Sequence, residues 1–164
     1  MTVPETTGED LMLCALETGG FSFGIDTRRI REVLGGTLIH KVPLAPHFIA
    51  GMVSYRGEVL TTISLRALLA MPPYGGESCL LVLDGPVQWN GDAEQFGLMV
   101  DTVGGVVAVG RDLLANNPPP LNEHLRRVFQ AAYRGRAGLI VQLDPERMRP
   151  ERLMLPETFR GKAS

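Results

Sequence analysis

Apolar residues recur along this chain in short runs separated by glycine, proline and charged residues. Runs that are rich in valine, isoleucine and leucine and bounded by turn-forming residues are typical of β-strands. The pattern therefore predicts an all-β protein with short helices. We predict strands over Leu11–Leu16, Phe21–Ile25, Leu38–Val42, Val59–Leu65, Ser78–Leu83, Phe96–Val100, Val103–Val109, Val128–Tyr133 and Gly138–Leu143.

One segment breaks the β pattern early in the chain. Residues 27–34 follow Asp26, a favourable N-cap residue, and place Ile30, Val33 and Leu34 at helical spacing. The spacing predicts a short helix or turn there. Elsewhere we predict a helical turn at Arg66–Met71, a short helix or loop at Leu121–Arg127, a polar loop at Gly85–Asp92 holding the single tryptophan Trp89, and a tail or short helix at 149–164.

The sequence also contains an internal repeat. Phe23–Asp26 resembles Phe96–Asp101, and Phe48–Gly57 resembles Val128–Gly135, with Tyr-Arg-Gly at the end of both segments of the second pair. We therefore place these two Tyr-Arg-Gly sequences at related turns. Five such short strands bury a core by curling into a barrel, which also removes exposed edges. The repeat predicts two five-stranded β-barrel subdomains side by side, with some strands exchanged between them.

Composition narrows the function classes. The chain has 164 residues, 45% of them hydrophobic, and a formal net charge of −2. This acidic balance argues against a nucleic-acid partner. Neither an export signal nor an apolar run long enough to span a bilayer is present, so we expect no direct membrane insertion. Cys14 and Cys79 lie in apolar runs and are expected to be reduced core thiols.

No residues form the constellation that an enzyme needs. The three histidines, His40, His47 and His124, lie outside any H-x-x-x-H or H-E-x-x-H setting. Two isolated cysteines do not supply a zinc site. A nucleophile elbow, a P-loop and a dinucleotide fingerprint are also missing from the sequence. We therefore expect no catalytic residues, no metal and no cofactor.

Several segments, in order, resemble the CheW family. The residues from Phe23 to Leu34 resemble its helix-bearing segment, and Pro46–Gly57 resembles its most characteristic stretch. Val59–Leu69 resembles a strand that ends at an Asp-Leu-Arg corner, although Ser64 stands in the place of the aspartate. Phe96–Val107 resembles the family's Gly-Leu-x-Val-Asp-x-Val segment, and Val128–Met148 resembles its final hairpin.

This resemblance covers residues 11–148, preceded by a flexible N-terminus at 1–10. It implies two SH3-like barrels and a non-enzymatic adaptor that couples chemoreceptors to a CheA-type histidine kinase. It also implies a cytoplasmic location, at membrane-associated receptor arrays through those partners. Ser54-Tyr55 replaces the family's usual Asn-Leu before Arg-Gly. A paralogue in a non-flagellar pathway (pilus, surface-sensing or developmental) therefore stays open, as does a small β-barrel module that binds another ligand.

Two sets of residues are candidates for partner binding. A groove for the helical tip of a receptor is predicted at Ile30, Glu32, Val33, Val100, Val103 and Val106, although most of these apolar positions also suit a core. A surface for the kinase's regulatory domain, or a set of residues that lock a turn, is predicted at Gly51, Tyr55, Arg56 and Gly57. We further expect Glu32 and Arg56 to form an ion pair. Trp89 and the C-terminal tail are additional candidate contacts.

Overall fold

A computed structural model describes residues 10–36, 38–87, 93–116 and 122–154. Strands dominate these residues. They are β1 Leu11–Thr18, β2 Phe21–Asp26, β3 Ile30–Gly35, β4 Ile49–Tyr55, β5 Glu58–Ser64, β6 Cys79–Val87, β7 Ala93–Val100, β8 Thr102–Val109, β9 Phe129–Gly135 and β10 Gly138–Leu143. The helices are α1 Leu65–Leu68, α2 Glu123–Val128 and α3 Pro150–Leu153, with 3₁₀ turns at Thr27–Arg29, Arg111–Leu113 and Pro145–Met148.

The strands form two five-stranded sheets with matching connections. Their orders are β8-β1-β2-β10-β9 in the first sheet and β3-β6-β7-β5-β4 in the second. Each sheet has one parallel pair, β2 with β10 and β5 with β7. The second sheet uses consecutive strands, whereas the first combines strands from both ends of the described chain. The first sheet is thus a circularly permuted counterpart of the second.

The pairing registers show which residues occupy equivalent positions. Leu16 lies opposite Phe23 in the first sheet, and Leu83 lies opposite Phe96 in the second. The residue after each phenylalanine is a glycine that faces the parallel neighbour strand. The predicted relation between Phe23–Asp26 and the segment that begins at Phe96 is therefore confirmed, because β2 and β7 are the same strand of the two sheets.

A single apolar core joins the two sheets. Its buried members come from both of them and from the short helices that cover them, so neither sheet has a separate core of comparable size. They are Leu16, Phe23, Ile25, Ile63, Leu65, Leu68, Leu69, Leu81, Leu83, Phe96, Leu98, Val100, Val128, Leu143, Met148 and Leu153. Burial of this surface supplies most of the driving force for folding, and it ties the stability of one sheet to that of the other.

The short helix or turn predicted for residues 27–34 is confined to Thr27–Arg29, and the rest of the segment is a strand. Asp26 does cap a turn, because its carboxylate accepts a hydrogen bond from the Arg28 backbone N–H, but the helical turn ends at Arg29. The chain then continues as β3, whose residues alternate between half-buried and exposed. Ile30 and Leu34 are four residues apart, a spacing that places them on one face of either a helix or a strand, and pairing with β6 decides in favour of the strand.

Two further element predictions need correction. The strand predicted at Leu38–Val42 is reduced to one bridge between His40 and Met52, and the rest of that segment is largely exposed. The loop predicted at Gly85–Asp92 begins later, because β6 extends to Val87. Gly85 permits this extension, since a Cβ at that position would lie 2.6 Å from the Glu94 carbonyl oxygen.

The other predictions are close to the structure at the residues it describes. Eight of the nine predicted strands are present, with ends shifted by a few residues. The short helix or loop predicted at Leu121–Arg127 corresponds to the helix α2, and Asn122 caps this helix by accepting a hydrogen bond from the Leu125 N–H. The C-terminal segment contains the short helix α3. Trp89, residues 1–9 and residues 155–164 lie outside the described residues.

Candidate functional site

A carboxylate on β3 joins the turn between β4 and β5. Glu32 accepts a hydrogen bond from the Tyr55 hydroxyl, and its Oε2 atom lies 3.3 Å from Arg56 Nη2. The Arg56 guanidinium also lies over the Tyr55 ring, 5.4 Å from its centroid. The predicted ion pair between Glu32 and Arg56 is therefore present, and Tyr55 is a third member that the sequence did not assign to it.

The backbone of this turn is unusual for an arginine. Tyr55 lies opposite Glu58, so Arg56 and Gly57 form a two-residue hairpin loop. Their φ angles are 49° and 79°, the pattern of a type I′ turn that matches the twist of the strands. Glycine accepts this conformation freely, whereas arginine does so at a cost. The contacts of Arg56 with Glu32 and the Tyr55 ring offset that cost.

Packing holds the phenol of this cluster in place. Tyr55 is 7% exposed and packs with Leu60, Val82 and Leu34 in a small apolar cluster beside the main core. The hydrogen bond to Glu32, followed by burial, raises the pKa of the Tyr55 hydroxyl above its ordinary value. The arginine side chain is 74% exposed. The cluster therefore combines a fixed phenol with an accessible cation at the surface.

The predicted groove residues on the two edge strands occupy equivalent positions. Ile30 lies opposite Leu83 on β3, as Val103 lies opposite Leu16 on β8. Both Ile30 and Val103 are half-buried and pack against the core. The same register makes Val33 and Val106 equivalent, and these valines are 45% and 57% exposed. On each of these edge strands, one predicted groove residue packs against the core and another is exposed.

One predicted groove residue does not reach the surface. Val100 is 2% exposed and belongs to the core. It follows the buried Leu98 by two residues in β7, so both side chains point to the same face of the sheet. We therefore withdraw Val100 as a surface residue, while Ile30, Glu32, Val33, Val103 and Val106 remain candidates.

The proposed relation between the two Tyr-Arg-Gly sequences is wrong by two residues. In the first sheet, Gly135 lies opposite Gly138 and therefore takes the place of Tyr55. The turn residue that corresponds to Arg56 is then Arg136. Arg134 lies within β9, where it donates a hydrogen bond to the Asp112 carbonyl. The two segments share the sequence Tyr-Arg-Gly, but the pairing register shows which residues form each turn.

Gly51 has a different function from the one predicted for the turn. Its φ is 150°, and a Cβ there would lie 2.4 Å from the His40 carbonyl oxygen. The absence of a side chain lets His40 exchange two backbone hydrogen bonds of 2.8 Å with Met52. Gly51 therefore anchors the β3–β4 loop against β4 and does not contribute to the Tyr55–Arg56 turn.

A second charged cluster, which was not predicted, lies between the sheets. Arg66 in α1 holds Asp101 with both ends of its guanidinium, with Nε–Oδ1 and Nη2–Oδ2 distances of 2.7 Å. Asp101 also accepts a 3.0 Å hydrogen bond from the Gly19 N–H in the β1–β2 turn. Arg66 donates to the Pro72 carbonyl and lies 5.0 Å from the Tyr74 ring centroid. One carboxylate thus links both sheets.

The electrostatics of this cluster follow from its geometry. The Arg66 guanidinium holds the pKa of the Asp101 carboxyl below its ordinary value, against an opposing effect of burial. The aspartate and the arginine lie in two of the segments that resemble the CheW family, so the signal was in the sequence. What was missing was their proximity, which follows from the parallel pairing of β5 with β7, because Ser64 lies opposite Met99 and the residues after both strands are then neighbours.

In the part of the chain that the structure describes, no group of three or more histidine, cysteine, aspartate or glutamate side chains could hold a metal ion. Among the described helices, none is long and apolar enough to cross a membrane. Burial raises the pKa of the Cys14 thiol, which disfavours the reactive thiolate.

Comparison with known proteins agrees with this architecture. The model of the CheW-like domain family matches residues 11–151, which include both sheets. The chain belongs to the CheW-like family. A probable chemotaxis protein CheW of Rhizobium etli is 28% identical over 120 residues, which cover 73% of this chain and 74% of the relative. Protein FrzA of Myxococcus xanthus is 33% identical over 124 residues, covering 70% and 71%.

A solved CheW structure has the same fold. The scaffolding protein TtCheW of Thermoanaerobacter tengcongensis superposes with a TM-score of 0.70 at 20% identity, covering 82% of this chain and 88% of that one. This likeness confirms the predicted fold class, an all-β protein with two SH3-like subdomains. Within this fold, the Glu32–Tyr55–Arg56 cluster lies on the second sheet, and the Arg66–Asp101 pair joins the two subdomains.

Proposed function

We propose that this chain is a non-enzymatic adaptor that couples chemoreceptors to a CheA-type histidine kinase. The observation that carries the proposal is the match to the CheW-like family over residues 11–151, since it spans both sheets and their common core. The adaptor acts in the cytoplasm, at membrane-associated receptor arrays that it reaches through its partners. It needs no cofactor, because its task is to hold two other proteins together.

The receptor binds along the free edges of the sheets in this proposal. An amphipathic helix at the receptor tip presents an apolar stripe, and such a stripe is buried in an apolar groove on its partner. Val33 and Val106 support this assignment because they are exposed at equivalent positions of β3 and β8. Ile30 and Val103 line the base of the same edges, where they pack against the core.

The kinase binds the surface that includes the Tyr55–Arg56 turn. Arg56 suits a protein interface because its guanidinium can form two parallel hydrogen bonds with a carboxylate. Glu32 and the Tyr55 ring restrict the arginine before the partner arrives, which lowers the entropic cost of binding. A kinase regulatory domain with a carboxylate opposite Arg56 would complete the contact.

Separate binding measurements distinguish these two surfaces. For the wild-type chain and the double variant V33E/V106E, receptor binding is measured by co-sedimentation with receptor-bearing vesicles, and kinase binding is measured by calorimetry with the kinase in solution. We expect the double variant to lose receptor binding and to retain kinase binding. Leu139→Glu is the matched control, because Leu139 is 36% exposed on β10 and lies outside both predicted surfaces. Unchanged receptor binding by the double variant would reject the groove.

The pathway is a separate question, and a non-flagellar system is the second candidate. The 33% identity to FrzA supports this alternative, since that relative does not carry the CheW name. Ser54-Tyr55, in place of the usual Asn-Leu, also marks this chain as divergent at the turn. Comparing the binding of the wild-type chain to receptors and kinases from flagellar and non-flagellar gene clusters of one genome tests the choice of pathway.

A further inference from the structure

The loop between β3 and β4 is held firmly at its base. His40 and Met52 exchange two backbone hydrogen bonds of 2.8 Å, N–H to carbonyl in both directions. Gly51 allows this approach, as described above. Farther along, the Ile49 N–H donates a 3.0 Å hydrogen bond to the Pro46 carbonyl. Because Pro43 and Pro46 restrict the backbone between these anchors, the tip of the loop has a defined position.

Leu44, at the tip of this loop, has a backbone conformation that is unfavourable for leucine. The Ala45 N–H donates to the Val42 carbonyl at 3.4 Å, so Pro43 and Leu44 are the central residues of a β-turn. Leu44 has a φ of 63°, which excludes a type I turn and fits the third position of a type II turn. Glycine or asparagine is the favoured residue there. A leucine at this position strains the backbone.

No packing of the Leu44 side chain against the described residues offsets this backbone strain. Two other residues besides glycines have positive φ in the described chain, Arg56 and Ala70. Arg56 contacts Glu32, and Ala70 ends α1 with its N–H bonded to the Ala67 carbonyl. The Leu44 side chain, in contrast, is fully exposed. Neither the core nor the turn accounts for it, and strained residues of this kind cluster at binding sites.

We propose that Leu44 is an anchor that inserts into an apolar pocket on the regulatory domain of the kinase. This inference rests on the proposed adaptor function and specifies a contact within it. A projecting side chain on a turn is convex, so it fits a concave pocket and not the convex surface of a receptor helix. Leu38 and Val42 in the same loop are also exposed and enlarge the apolar contact.

Charge indicates the rim of that pocket. Lys41 is exposed in this loop, and residues 38–47 contain no aspartate or glutamate. A partner with carboxylates around its pocket therefore complements the loop, and it would bind faster at low salt. The rigid base of the loop lowers the ordering cost of binding, so one buried leucine at the tip can dominate the affinity.

The substitution Leu44→Asn tests this proposal, because asparagine suits the turn but cannot fill an apolar pocket. Affinity for the full-length kinase is measured by calorimetry, and the thermal unfolding midpoint is measured on the same samples. We expect an unchanged or higher midpoint, a loss of kinase affinity of tenfold or more, and unchanged receptor binding. Leu44→Met should keep most of the affinity, and Leu139→Asn, at an exposed β10 position outside both predicted surfaces, is the matched control.

Other outcomes overturn the inference in distinguishable ways. If Leu44→Asn binds the kinase as tightly as the wild-type chain, Leu44 is not an anchor. If that variant loses affinity and its unfolding midpoint also falls, the leucine is structural and the proposal is wrong. If the wild-type chain itself does not bind the kinase, the proposed adaptor function fails together with this contact.

Discussion

The two sheets share a frame but differ along their edges. Ile30 and Val33 on β3 correspond to Val103 and Val106 on β8, and the two intervening residues are where the strands diverge. On β3 they are an arginine and Glu32, whereas on β8 they are two glycines. The second sheet can therefore bind the Tyr55–Arg56 turn through a carboxylate, and the first has no side chain at that position.

The turns at the opposite edges differ in the same way. In the second sheet, Tyr55 and Arg56 form a cluster with Glu32, while the equivalent positions of the first sheet are Gly135 and Arg136. The two sheets thus share their strand arrangement and one core, but in the described residues the Glu32–Tyr55–Arg56 cluster of the second sheet has no counterpart on the first. Folding is therefore expected to depend on both halves alike, whereas in our proposal the kinase recognises only the second sheet.

The largest effect on stability is expected in the core that the two sheets share. Phe23→Ala and Phe96→Ala each remove a buried ring at equivalent positions, 2% and 4% exposed. Each should lower the free energy of unfolding by about 3–5 kcal/mol, from lost burial and the cavity left behind. Because both rings belong to one core, urea unfolding of either variant should remain a single transition. Two separate transitions would contradict the common core.

The contact between the sheets should have the next largest effect. Asp101→Asn removes the charge that Arg66 and Gly19 bind, and we expect a loss of about 1–3 kcal/mol in unfolding free energy at pH 7. Asp26→Asn is the matched control. Its partner Arg28 is 80% exposed, so its loss should stay below about 1 kcal/mol.

The pH dependence of stability gives an independent test of the same contact. Folding lowers the pKa of Asp101, so its contribution is complete above the ordinary aspartate pKa of about 3.9. The contribution disappears as pH falls through the lower pKa of the folded state. Asp101→Asn should therefore reduce the loss of stability on acidification. An identical acid profile in wild-type and variant chains would show that this carboxylate is not bound as described.

A smaller effect on stability is expected at the Glu32–Tyr55–Arg56 cluster. Arg56→Ala removes a largely exposed ion pair and should change the unfolding free energy by less than about 1 kcal/mol. Kinase binding should nevertheless weaken, whereas Arg136→Ala at the equivalent turn should leave it unchanged. Because Glu32→Ala acts through the same contact, its effect on binding should not add to that of Arg56→Ala. Additive losses would argue against a joint function.

The smallest change is spectroscopic. The hydrogen bond to Glu32 raises the pKa of Tyr55, so this tyrosine should ionise above the ordinary value of about 10. In Glu32→Gln a neutral amide replaces the charged hydrogen-bond acceptor and stabilises the protonated phenol less, so the pKa of Tyr55 should fall toward that value. Tyrosinate absorbance during an alkaline titration measures the shift, with Tyr55→Phe identifying the signal. Identical titration curves for wild type and Glu32→Gln would exclude the contact.

Local sequence patterns predicted most of the frame. Alternating apolar runs located strands such as β1 and β10, and the Phe-Gly repeat identified β2 and β7 as equivalents. The failures arose where two periods fit one short segment, as in β3. The strand β4 was not predicted, because Gly51 interrupts its apolar run and its pairing with β5 is a tertiary contact.

The candidate site was only partly accessible from the sequence. The pairing of Glu32 with Arg56 was predicted because Arg56 lies in a family-like stretch and Glu32 is a charged residue within an apolar segment, and the structure shows this ion pair. Asp101 and Arg66 are separated by 35 residues, and no local pattern reports that a crossover brings them together. Exposure was equally hidden, since nothing in the spacing distinguishes the buried Val100 from exposed valines nearby.

The proposed coupling of receptor and kinase is tested most directly by reconstitution. Vesicles that carry the receptor are mixed with the kinase, with and without this chain, and the kinase in the pellet is quantified. We predict that the kinase sediments with the vesicles when the wild-type chain is present and remains in the supernatant without it. Sedimentation that is equal with and without the chain would contradict the proposed coupling function.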